Sequence, residues 1–489
     1  MLRLVQRDVK KQPVRTLVIP VCEDKDIHED PAIQTFVGDA MKIEGFKGSE
    51  KDHIVLFDVS GKRAKRVMVV GMGKAEEINH ERLRSMTGRS VKQCLSDDLK
   101  EVLIAVPSAE KLNFDMSEIL ESIMEGGYLA NHVFDRYKSK KKTRPLKQID
   151  LLVDAERIFE FGQLPSRVEA ICGGTILARE WVDTPSNDKR PQDLAKSIAS
   201  FAEKEGLNVD VLDEKALKKE KFGAMLSVAA GSKSKPRMVL LEYCPAHPQK
   251  TIALVGKGVT FDSGGINLKP TGSLKGMKSD MAGAAAVAAT ILSMAKLKSD
   301  LRIIAALPIV ENMPSGSASR PGDIIKSYHG KTVEIGNTDA EGRLILIDAM
   351  SYVLKRYNPN TIIDVATLTG ACVVGLGEKI AGVFSKDDEL AENILLSGER
   401  TFERCWRMPL PEDYKDLLKS DLADISNISS SQWGGAITAA LFLSEFVGDT
   451  PWAHIDIAGP AFQKKENAYN SAGATGFGVR LLCNVVEKL

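Results

Sequence analysis

The fold class follows from residues 331–353, KTVEIGNTDAEGRLILIDAMSYV, which predict a strand, a turn and a helix in succession. Residues 331–335 alternate polar and apolar side chains as a strand does, and the run from Leu344 onward is apolar enough for a buried helix. Side chains two positions apart on a helix point about 200° away from each other. Asp339 and Glu341 can therefore share a ligand only in the turn that precedes the helix.

The acidic turn at 337–343 has two interpretations. Acidic side chains stabilise a helix N-terminus by complementing the helix dipole, so Asp339 and Glu341 need no ligand. Alternatively, the two carboxylates close on a hard cation, and Arg343 stays free to hold an anion. The segment alone does not decide between a helix start and a metal site.

Composition limits the kind of protein this chain can be. At 489 residues, it predicts two or three domains. Its 66 basic and 66 acidic residues give zero formal net charge, which provides no overall attraction to nucleic acid or anionic membranes. The seven scattered cysteines include no Cys-x-x-Cys pair, which argues against a disulfide framework and a thiolate metal site. Without a signal-peptide pattern or a long apolar stretch, we expect a cytoplasmic protein with no membrane span.

Short β-branched runs alternate with helical patterns, which predicts an α/β fold with a largely parallel or mixed sheet. The predicted elements that bear on the site are Arg237–Tyr243, Thr251–Val255, Leu301–Pro308, Thr361–Val365, His454–Ile457, Met281–Ala295 and Leu344–Tyr357. A domain boundary is predicted near 136–165, followed by a connecting helix from about Ser166 to Val182. The basic run at 138–147 lacks interleaved aromatic residues, so it is more typical of a solvated loop than of a nucleic-acid patch.

A second group of reactive residues follows the predicted strand Thr251–Val255. The glycine-rich stretch GKGVTFDSGG, residues 256–265, contains Lys257 and Asp262, and such strand ends are where α/β sheets place reactive groups. Asp280 directly precedes a predicted helix, so its simplest role is that of the N-cap. The stretch lacks the spacing of a phosphate-binding loop. Its DSGG is found in trypsin-like serine proteases, but those are all-β enzymes.

The two segments together supply four carboxylates, whose charge two divalent cations would neutralise. They are Asp262, Asp280, Asp339 and Glu341. Without metal, four buried carboxylates would repel one another and take up protons. Two metal ions about 3.5–4 Å apart generate hydroxide and polarise a carbonyl. No histidine lies in either segment, so the ligands are hard oxygens, for which Mn²⁺ or Mg²⁺ can compete with Zn²⁺.

The chain resembles the leucyl aminopeptidase (cytosol aminopeptidase) family of di-metal metallopeptidases. Residues 337–344, NTDAEGRL, match that family's signature octapeptide without a departure. Its other blocks resemble VGKGVTFDSGGINLKP at 255–270, MKSDMAGAAAV at 277–287, ENMPSGSASRPGD at 311–323, DVATLTGA at 364–371 and PWAHIDIAGP at 451–460. The resemblance is close over about 165–489 and loose over the first 160 residues.

The resemblance implies an α/β architecture of two domains. It places an N-terminal variable α/β domain, similar to macro domains, at 1–160 and a connecting helix at 161–187. A catalytic α/β domain with a central mixed sheet is expected over 188–489. The resemblance also implies a homohexamer built as a dimer of trimers.

The resemblance further implies two divalent metal ions per subunit, Mn²⁺ or Zn²⁺, with Mg²⁺ as a further candidate. The family's ligand positions match Lys257, Asp262, Asp280, Asp339 and Glu341. Among these, Asp262 and Glu341 match the bridging ligands. A lysine ligates only as a neutral amine, so an adjacent metal must lower its pKa from the reference of about 10.4.

Two further positions match the family's catalytic groups. As an ammonium, Lys269 would bind the substrate carbonyl oxygen and stabilise the oxyanion. Arg343 matches the arginine that holds a bicarbonate ion, the general base, and a planar guanidinium fits that anion bidentately. The substrate-binding positions of the family are matched by Met277, Thr367, Leu368 and Gly370.

The expected activity is removal of the N-terminal residue, Leu or another mainly apolar residue, from peptides by a water that two metals activate. Two other functions stay open. One is an additional DNA-binding accessory role of the oligomer, which zero net charge disfavours and which only the basic run at 138–147 supports locally. The other is hydrolysis of a different class of substrate, such as phosphoesters, by the same pair of metals.

Overall fold

A computed structural model describes residues 1–9, 14–57, 65–140 and 143–489. The chain forms two compact units, Met1–Gly173 with Lys465–Ala472 and Gly174–Lys464 with Gly473–Leu489. The basic run at 138–147 includes residues 141–142, which lie outside the described residues. All seven cysteines lie in the described residues, and none of them forms a disulfide. Among the described residues, no helix combines the length and apolarity that crossing a membrane requires.

The first unit is built on one mixed sheet. Its strands are β1 (Leu2–Val5), β2 (Thr16–Val21), β3 (His53–Phe57), β4 (Arg66–Gly71), β5 (Glu101–Ala105) and β6 (Gln148–Leu152). Its helices are α1 (Pro31–Met41), α2 (His80–Ser96), α3 (Ala109–Leu112), α4 (Met116–Ala130) and α5 (Ala155–Phe161), and α6 (Leu164–Asp183) crosses the division between the units. The strand order is β1-β6-β5-β2-β4-β3, and every neighbouring pair is parallel except β3 with β4.

The second unit contains the segments that the sequence singles out. Its strands are β7 (Asn208–Leu212), β8 (Arg237–Tyr243), β9 (Thr251–Gly256), β10 (Gly258–Asp262), β11 (Arg302–Asn312), β12 (Ile324–Lys326), β13 (Thr332–Glu334), β14 (Thr361–Ala366), β15 (Ala381–Ser385), β16 (Cys405–Arg407), β17 (Ile425–Ser426), β18 (Trp452–Asp456), β19 (Phe462–Gln463) and β20 (Gly473–Ala474). Its helices are α7 (Pro191–Lys204), α8 (Glu214–Glu220), α9 (Gly223–Ala229), α10 (Thr271–Leu274), α11 (Ala282–Lys296), α12 (Glu341–Tyr357), α13 (Gly370–Leu376), α14 (Asp388–Thr401), α15 (Gly435–Ser444) and α16 (Val479–Val486).

The large sheet of this unit is mixed, with a parallel centre. Its order is β16-β15-β18-β14-β9-β11-β8-β7, and β10 also pairs with β11. The pairs β18–β14, β14–β9, β9–β11 and β10–β11 are parallel, whereas β11–β8, β8–β7 and β15–β18 are antiparallel. Because the carboxyl ends of parallel strands meet at one edge of a sheet, the residues that follow these strands lie close together. The predicted α/β class with a mixed sheet is confirmed.

Two buried helices, α11 and α12, pack against this sheet and begin next to the acidic residues. In α11, every residue from Ala282 to Met294 is buried, and in α12 every residue from Glu341 to Val353 is buried. Both helices pack against β9 and β11. Each fully buried Leu or Ile contributes about 1.5–3 kcal/mol relative to an exposed one. The first turns of both helices, next to the acidic residues, are therefore held in place by the core.

Candidate metal centre

Five strand ends supply the site, all at the carboxyl edge of the parallel strands. Lys257 follows β9, Asp262 ends β10, Asn312 ends β11, Thr367 follows β14 and Asp456 ends β18. Two helix starts complete it, with Asp280 just before α11 and Glu341 as the first residue of α12. The two motifs that the sequence separates by about 75 residues therefore meet in space.

Three carboxylates form the centre of the cluster. One ligand oxygen from each of Asp262, Asp280 and Glu341 lies within 4.8 Å of the other two. The three residues are only 1%, 6% and 2% exposed, respectively. Such a buried group of like charges is unfavourable unless cations or protons compensate it.

The ammonium of Lys257 lies between two of these carboxylates. Its Nζ is 2.9 Å from Asp280 Oδ1 and 2.9 Å from Glu341 Oε1, and it donates a hydrogen bond to the Thr367 carbonyl at 2.9 Å. Burial opposes this ammonium, but the charges of the two carboxylates outweigh burial and raise the pKa of Lys257. In the metal-free protein, Lys257 is therefore a charged partner of the cluster.

Lys269 connects the fourth carboxylate to the cluster. Its Nζ is 2.9 Å from Asp262 Oδ2 and 2.5 Å from Asp339 Oδ1. Gly264 adopts φ +86°, and a Cβ there would lie 3.1 Å from Asp339 Oδ1, so this turn requires glycine. Four carboxylates thus face two lysine ammonium groups, and if all four ionised they would leave an excess of two negative charges.

Asp280 does not serve as the N-cap of α11, the simplest alternative to its predicted role as a metal ligand. The N-cap of α11 is Met281, and no side chain makes a capping hydrogen bond. The Asp280 carboxylate instead accepts a hydrogen bond from Thr367 Oγ1 at 2.7 Å and pairs with Lys257. The Asp280 carboxylate is therefore committed to the ammonium of Lys257 and the hydroxyl of Thr367, not to the backbone N–H groups of α11.

The interpretation of Asp339 and Glu341 as no more than an acidic helix start also loses its support. Asp339 lies in the turn before α12, and the N-cap Ala340 offers no side-chain acceptor. Burial, together with repulsion from Asp262, raises the pKa of Glu341 to about 8. A carboxyl group placed to stabilise a helix N-terminus would instead have a lowered pKa.

Two carboxylate oxygens indicate what the cluster binds. Asp280 Oδ2 and Glu341 Oε2 are buried, and neither has a hydrogen-bond partner within the described parts of the chain. A buried polar atom without a partner is costly, and native proteins rarely keep one without a ligand, ion or water. Hard, anionic oxygens around an excess of negative charge fit divalent cations such as Mn²⁺, Mg²⁺ or Zn²⁺.

Arg343 lies beside the carboxylates but is not paired with them. Its Nη1 donates to the Asn427 carbonyl at 2.7 Å, and its guanidinium lies 6.0 Å from the ring centroid of Phe442. Burial lowers the pKa of Arg343 to about 10, so it stays charged at neutral pH. Its Nε is buried without a hydrogen-bond partner in the described structure. This guanidinium can therefore bind an anion without breaking an existing contact.

The substrate-binding residues predicted from the sequence lie on two short segments. Met277 is half-buried at the start of a 3₁₀ turn that leads to Asp280. Thr367 contacts Asp280 directly. The backbone N–H of Leu368 donates to Asp456 at 3.1 Å, which leaves its carbonyl for other partners. Gly370 begins α13 with open space beside it.

Sequence reasoning missed three buried polar residues that support this site: Asn312, Asn427 and Asp456. Asn312 Nδ2 donates to Asp262 Oδ1 at 2.9 Å and to the Thr338 carbonyl at 3.1 Å. Asp456 accepts hydrogen bonds from the backbone N–H groups of residues 368 and 369. The position of Asn312 and Asp456 at strand ends was a usable sequence signal, because the reactive edge of the sheet collects such residues.

Known proteins match this chain over most of its length. Residues 176–483 match the catalytic domain of the cytosol aminopeptidase family, and residues 23–141 match its N-terminal domain. The chain belongs to the cytosol aminopeptidase family. A probable cytosol aminopeptidase of Chlorobium limicola is 39% identical over 98% of both chains, and one of Chlorobaculum tepidum is 43% identical over 90% of both.

A solved structure extends the comparison. The bottromycin maturation enzyme BotP in complex with Mn is 32% identical, with a TM-score of 0.86 over 97% of this chain and 99% of that chain. The cytosol aminopeptidase family consists of di-metal peptidases, so this chain is a metalloaminopeptidase, and the predicted family is confirmed.

Substitution of Gly342 by alanine tests the packing around Lys257. A Cβ at residue 342 would lie 2.7–2.8 Å from the end of the Lys257 side chain, so the lysine must move. We expect metal affinity to fall about tenfold, the effect typical of residues that hold metal ligands in place. Mn²⁺ titration calorimetry measures this change. Gly375→Ala on α13 is the matched control, because a Cβ there meets nothing within 4 Å; equal affinity in both variants would contradict the prediction.

Proposed function

We propose that this enzyme removes Leu and other mainly apolar residues from the N-termini of peptides, using a water activated by two divalent metal ions. The observation that carries the proposal is the buried carboxylate cluster with two unpartnered oxygens, Asp280 Oδ2 and Glu341 Oε2. The proposed ligands are Lys257, Asp262, Asp280, Asp339 and Glu341, with Mn²⁺ or Zn²⁺ as the metals and Mg²⁺ as a further candidate. When bound, such ions polarise a carbonyl and acidify water.

Lys269 is proposed as the group that stabilises negative charge on the substrate oxygen. Burial opposes its ammonium, but Asp262 and the other carboxylates outweigh burial and raise the pKa of Lys269. It is therefore charged at neutral pH and able to donate to a carbonyl oxygen. A donor held in place by two ion pairs, with only 17% of its side chain exposed, needs little reorganisation during reaction.

Arg343 is proposed to hold bicarbonate as the general base. Its Nε points to no partner among the described residues, and a guanidinium binds a planar oxyanion with two parallel hydrogen bonds. The described cluster offers no histidine for this role, since its titratable members are carboxylates and lysines. A general base that is a bound bicarbonate ion, and not a side chain, is consistent with that composition.

Substrate selection is proposed to use two kinds of contact. Met277 and Thr367 would line the pocket for the N-terminal side chain, and the backbones of Leu368 and Gly370 would hold the peptide. Asp456 accepts hydrogen bonds from the loop that carries Leu368. The Leu368 carbonyl is therefore held in a fixed position. Backbone groups held in fixed positions can form main-chain hydrogen bonds with an extended peptide.

Recognition of the free α-amino group is the feature that makes the enzyme an exopeptidase. An amine can ligate one of the metals, and acetylation removes that ability. With Mn²⁺ or Zn²⁺ present, we expect rapid hydrolysis of leucine p-nitroanilide and very slow hydrolysis of its N-acetylated form. Equal rates on the two substrates would overturn the proposal, because they would show that the enzyme does not recognise the free α-amino group.

The proposed organisation follows the family. We propose an N-terminal domain at 1–160, a connecting segment at 161–187 and a catalytic domain at 188–489 in a cytosolic enzyme. We also propose a homohexamer, arranged as a dimer of trimers. Sedimentation equilibrium should give a particle of six 53.3 kDa chains, and a monomer would rule the assembly out.

A further inference from the structure

Asn427 contacts the metal-binding loop, residues 336–340, with both polar groups of its side chain. Its Oδ1 accepts from the N–H groups of Gly336 and Asn337 at 2.8 and 3.3 Å. Its Nδ2 donates to the carbonyls of Asn337 and Ala340 at 2.8 and 3.4 Å. Its backbone N–H donates to the Glu334 carbonyl at 2.9 Å. All these partners lie just before or within the turn that carries Asp339 and leads into Glu341.

The remaining polar group of Asn427 reaches the proposed catalytic arginine. Its carbonyl accepts from Arg343 Nη1 at 2.7 Å. One residue therefore contacts both the loop that carries the carboxylates and the guanidinium beside them. Asn427 is completely buried, so no water competes for these hydrogen bonds.

The side-chain contacts with the loop require an asparagine, whereas the backbone contacts with Glu334 and Arg343 do not depend on the side chain. The loop presents both N–H donors and carbonyl acceptors, and only a carboxamide of this length offers an acceptor and a two-proton donor together. Aspartate keeps the size and the acceptor but loses the donor, and its second oxygen would face the two carbonyls. Alanine loses both groups.

Asn427 lies just after β17, which pairs with β13 immediately before the metal-binding loop. The same two segments are joined by a second contact away from the site. Asp424 is exposed, and its Oδ2 accepts from Thr332 N and Oγ1 at 2.7 and 2.8 Å. A variant of Asp424 therefore weakens the pairing of the two segments without touching the loop, and it can serve as a control for variants of Asn427.

We infer that Asn427 is a positioning residue that holds the turn from Gly336 to Ala340 and the Arg343 guanidinium in their metal-binding and anion-binding geometry. The inference rests on the proposed two-metal function. Asn427 touches neither substrate nor reacting atoms; it acts through the residues that do. Because the loop spans Asp339 and Glu341, loosening it should weaken metal binding before it weakens the fold.

The test compares Asn427→Asp and Asn427→Ala with Asp424→Ala as the control. Each metal-free protein is titrated with Mn²⁺ by calorimetry, and its thermal unfolding is followed in chelator. We expect both Asn427 variants to bind Mn²⁺ at least about tenfold more weakly, the loss typical of residues that orient metal ligands. The Asp424 variant should bind Mn²⁺ as the wild type does, and metal-free Asn427→Ala should melt lower than metal-free Asp424→Ala but still fold and unfold cooperatively.

Three outcomes would overturn the inference about Asn427, and a fourth would overturn the proposed function. Wild-type Mn²⁺ affinity in Asn427→Ala would overturn the inference, as would equal weakening in Asp424→Ala. Failure of metal-free Asn427→Ala to fold would also overturn it, since the residue would then serve the fold itself. If the wild type bound none of Mn²⁺, Zn²⁺ and Mg²⁺, the proposed two-metal function would fail instead, and calorimetry on the wild type alone would show that.

Discussion

Replacement of Lys269 by methionine is expected to lower kcat by about 10²–10³, the effect of removing one oxyanion donor. Methionine keeps most of the length and apolar volume of the lysine stem, so the pocket wall is preserved. It cannot donate a hydrogen bond to the substrate oxygen. Because that bond strengthens only as negative charge develops, KM should change much less than kcat.

The measurement needs both kinetics and metal content, because Lys269 is also paired with Asp262 and Asp339. Leucine p-nitroanilide kinetics give kcat and KM, and elemental analysis gives the metal bound per subunit. Lys275→Met is the control, since Lys275 is exposed shortly after Lys269 in the same segment. A fully metal-loaded Lys269→Met enzyme with wild-type kcat would show that the lysine does not stabilise the transition state.

The sequence predicted the strands of the second unit well where each is a continuous apolar run. Arg237–Tyr243 agrees at both ends, because a strand buried within a sheet needs apolar side chains on both faces. Leu301–Pro308 was predicted too short, since proline lacks the N–H that a ladder uses. In the structure, Pro308 lies where β11 stops pairing with β9 and starts pairing with β10, so the strand continues to Asn312.

The sequence predicted the site where charged residues are concentrated in two segments, and it missed the isolated polar residues that support those segments from elsewhere in the chain. The carboxylates could be inferred to lie close together because they follow strands or precede helices, and the structure brings Asp262, Asp280 and Glu341 together. The hydrogen bond from Thr367 to Asp280 could not be inferred, since the two residues lie 87 positions apart. Asn427 gave no signal either, because an asparagine in a short irregular segment has many ordinary uses, and only the fold places it under the metal-binding loop.

Replacement of Glu341 by glutamine is expected to lower kcat/KM by about 10³, because metal catalysis supplies several kcal/mol and each 1.36 kcal/mol is a factor of ten. Glutamine keeps the shape of the side chain but provides a neutral and weaker ligand. Mn²⁺ affinity should fall together with activity. Glu392→Gln, an exposed position on α14, is the control for a charge change alone.

The same substitution should stabilise the metal-free protein above pH 5. Burial, with repulsion from Asp262, raises the pKa of Glu341 from 4.5 to about 8, so the native state holds a proton that the unfolded state releases. Stability of the wild type therefore falls as pH rises from about 4.5 to about 8 and then levels off. Glutamine has no proton to lose, so the two proteins should melt alike near pH 4.5, and the variant should melt higher by pH 8.

Thermal unfolding in chelator at pH 5, 6.5 and 8 measures this difference. A gap that does not grow with pH would contradict the raised pKa of Glu341. Addition of saturating Mn²⁺ at pH 8 should then reverse the order, because a ligand that binds only the native state stabilises the protein that binds it more tightly. The wild type would gain more from metal than the variant, and the residue that destabilises the empty site would be the one that stabilises the loaded site.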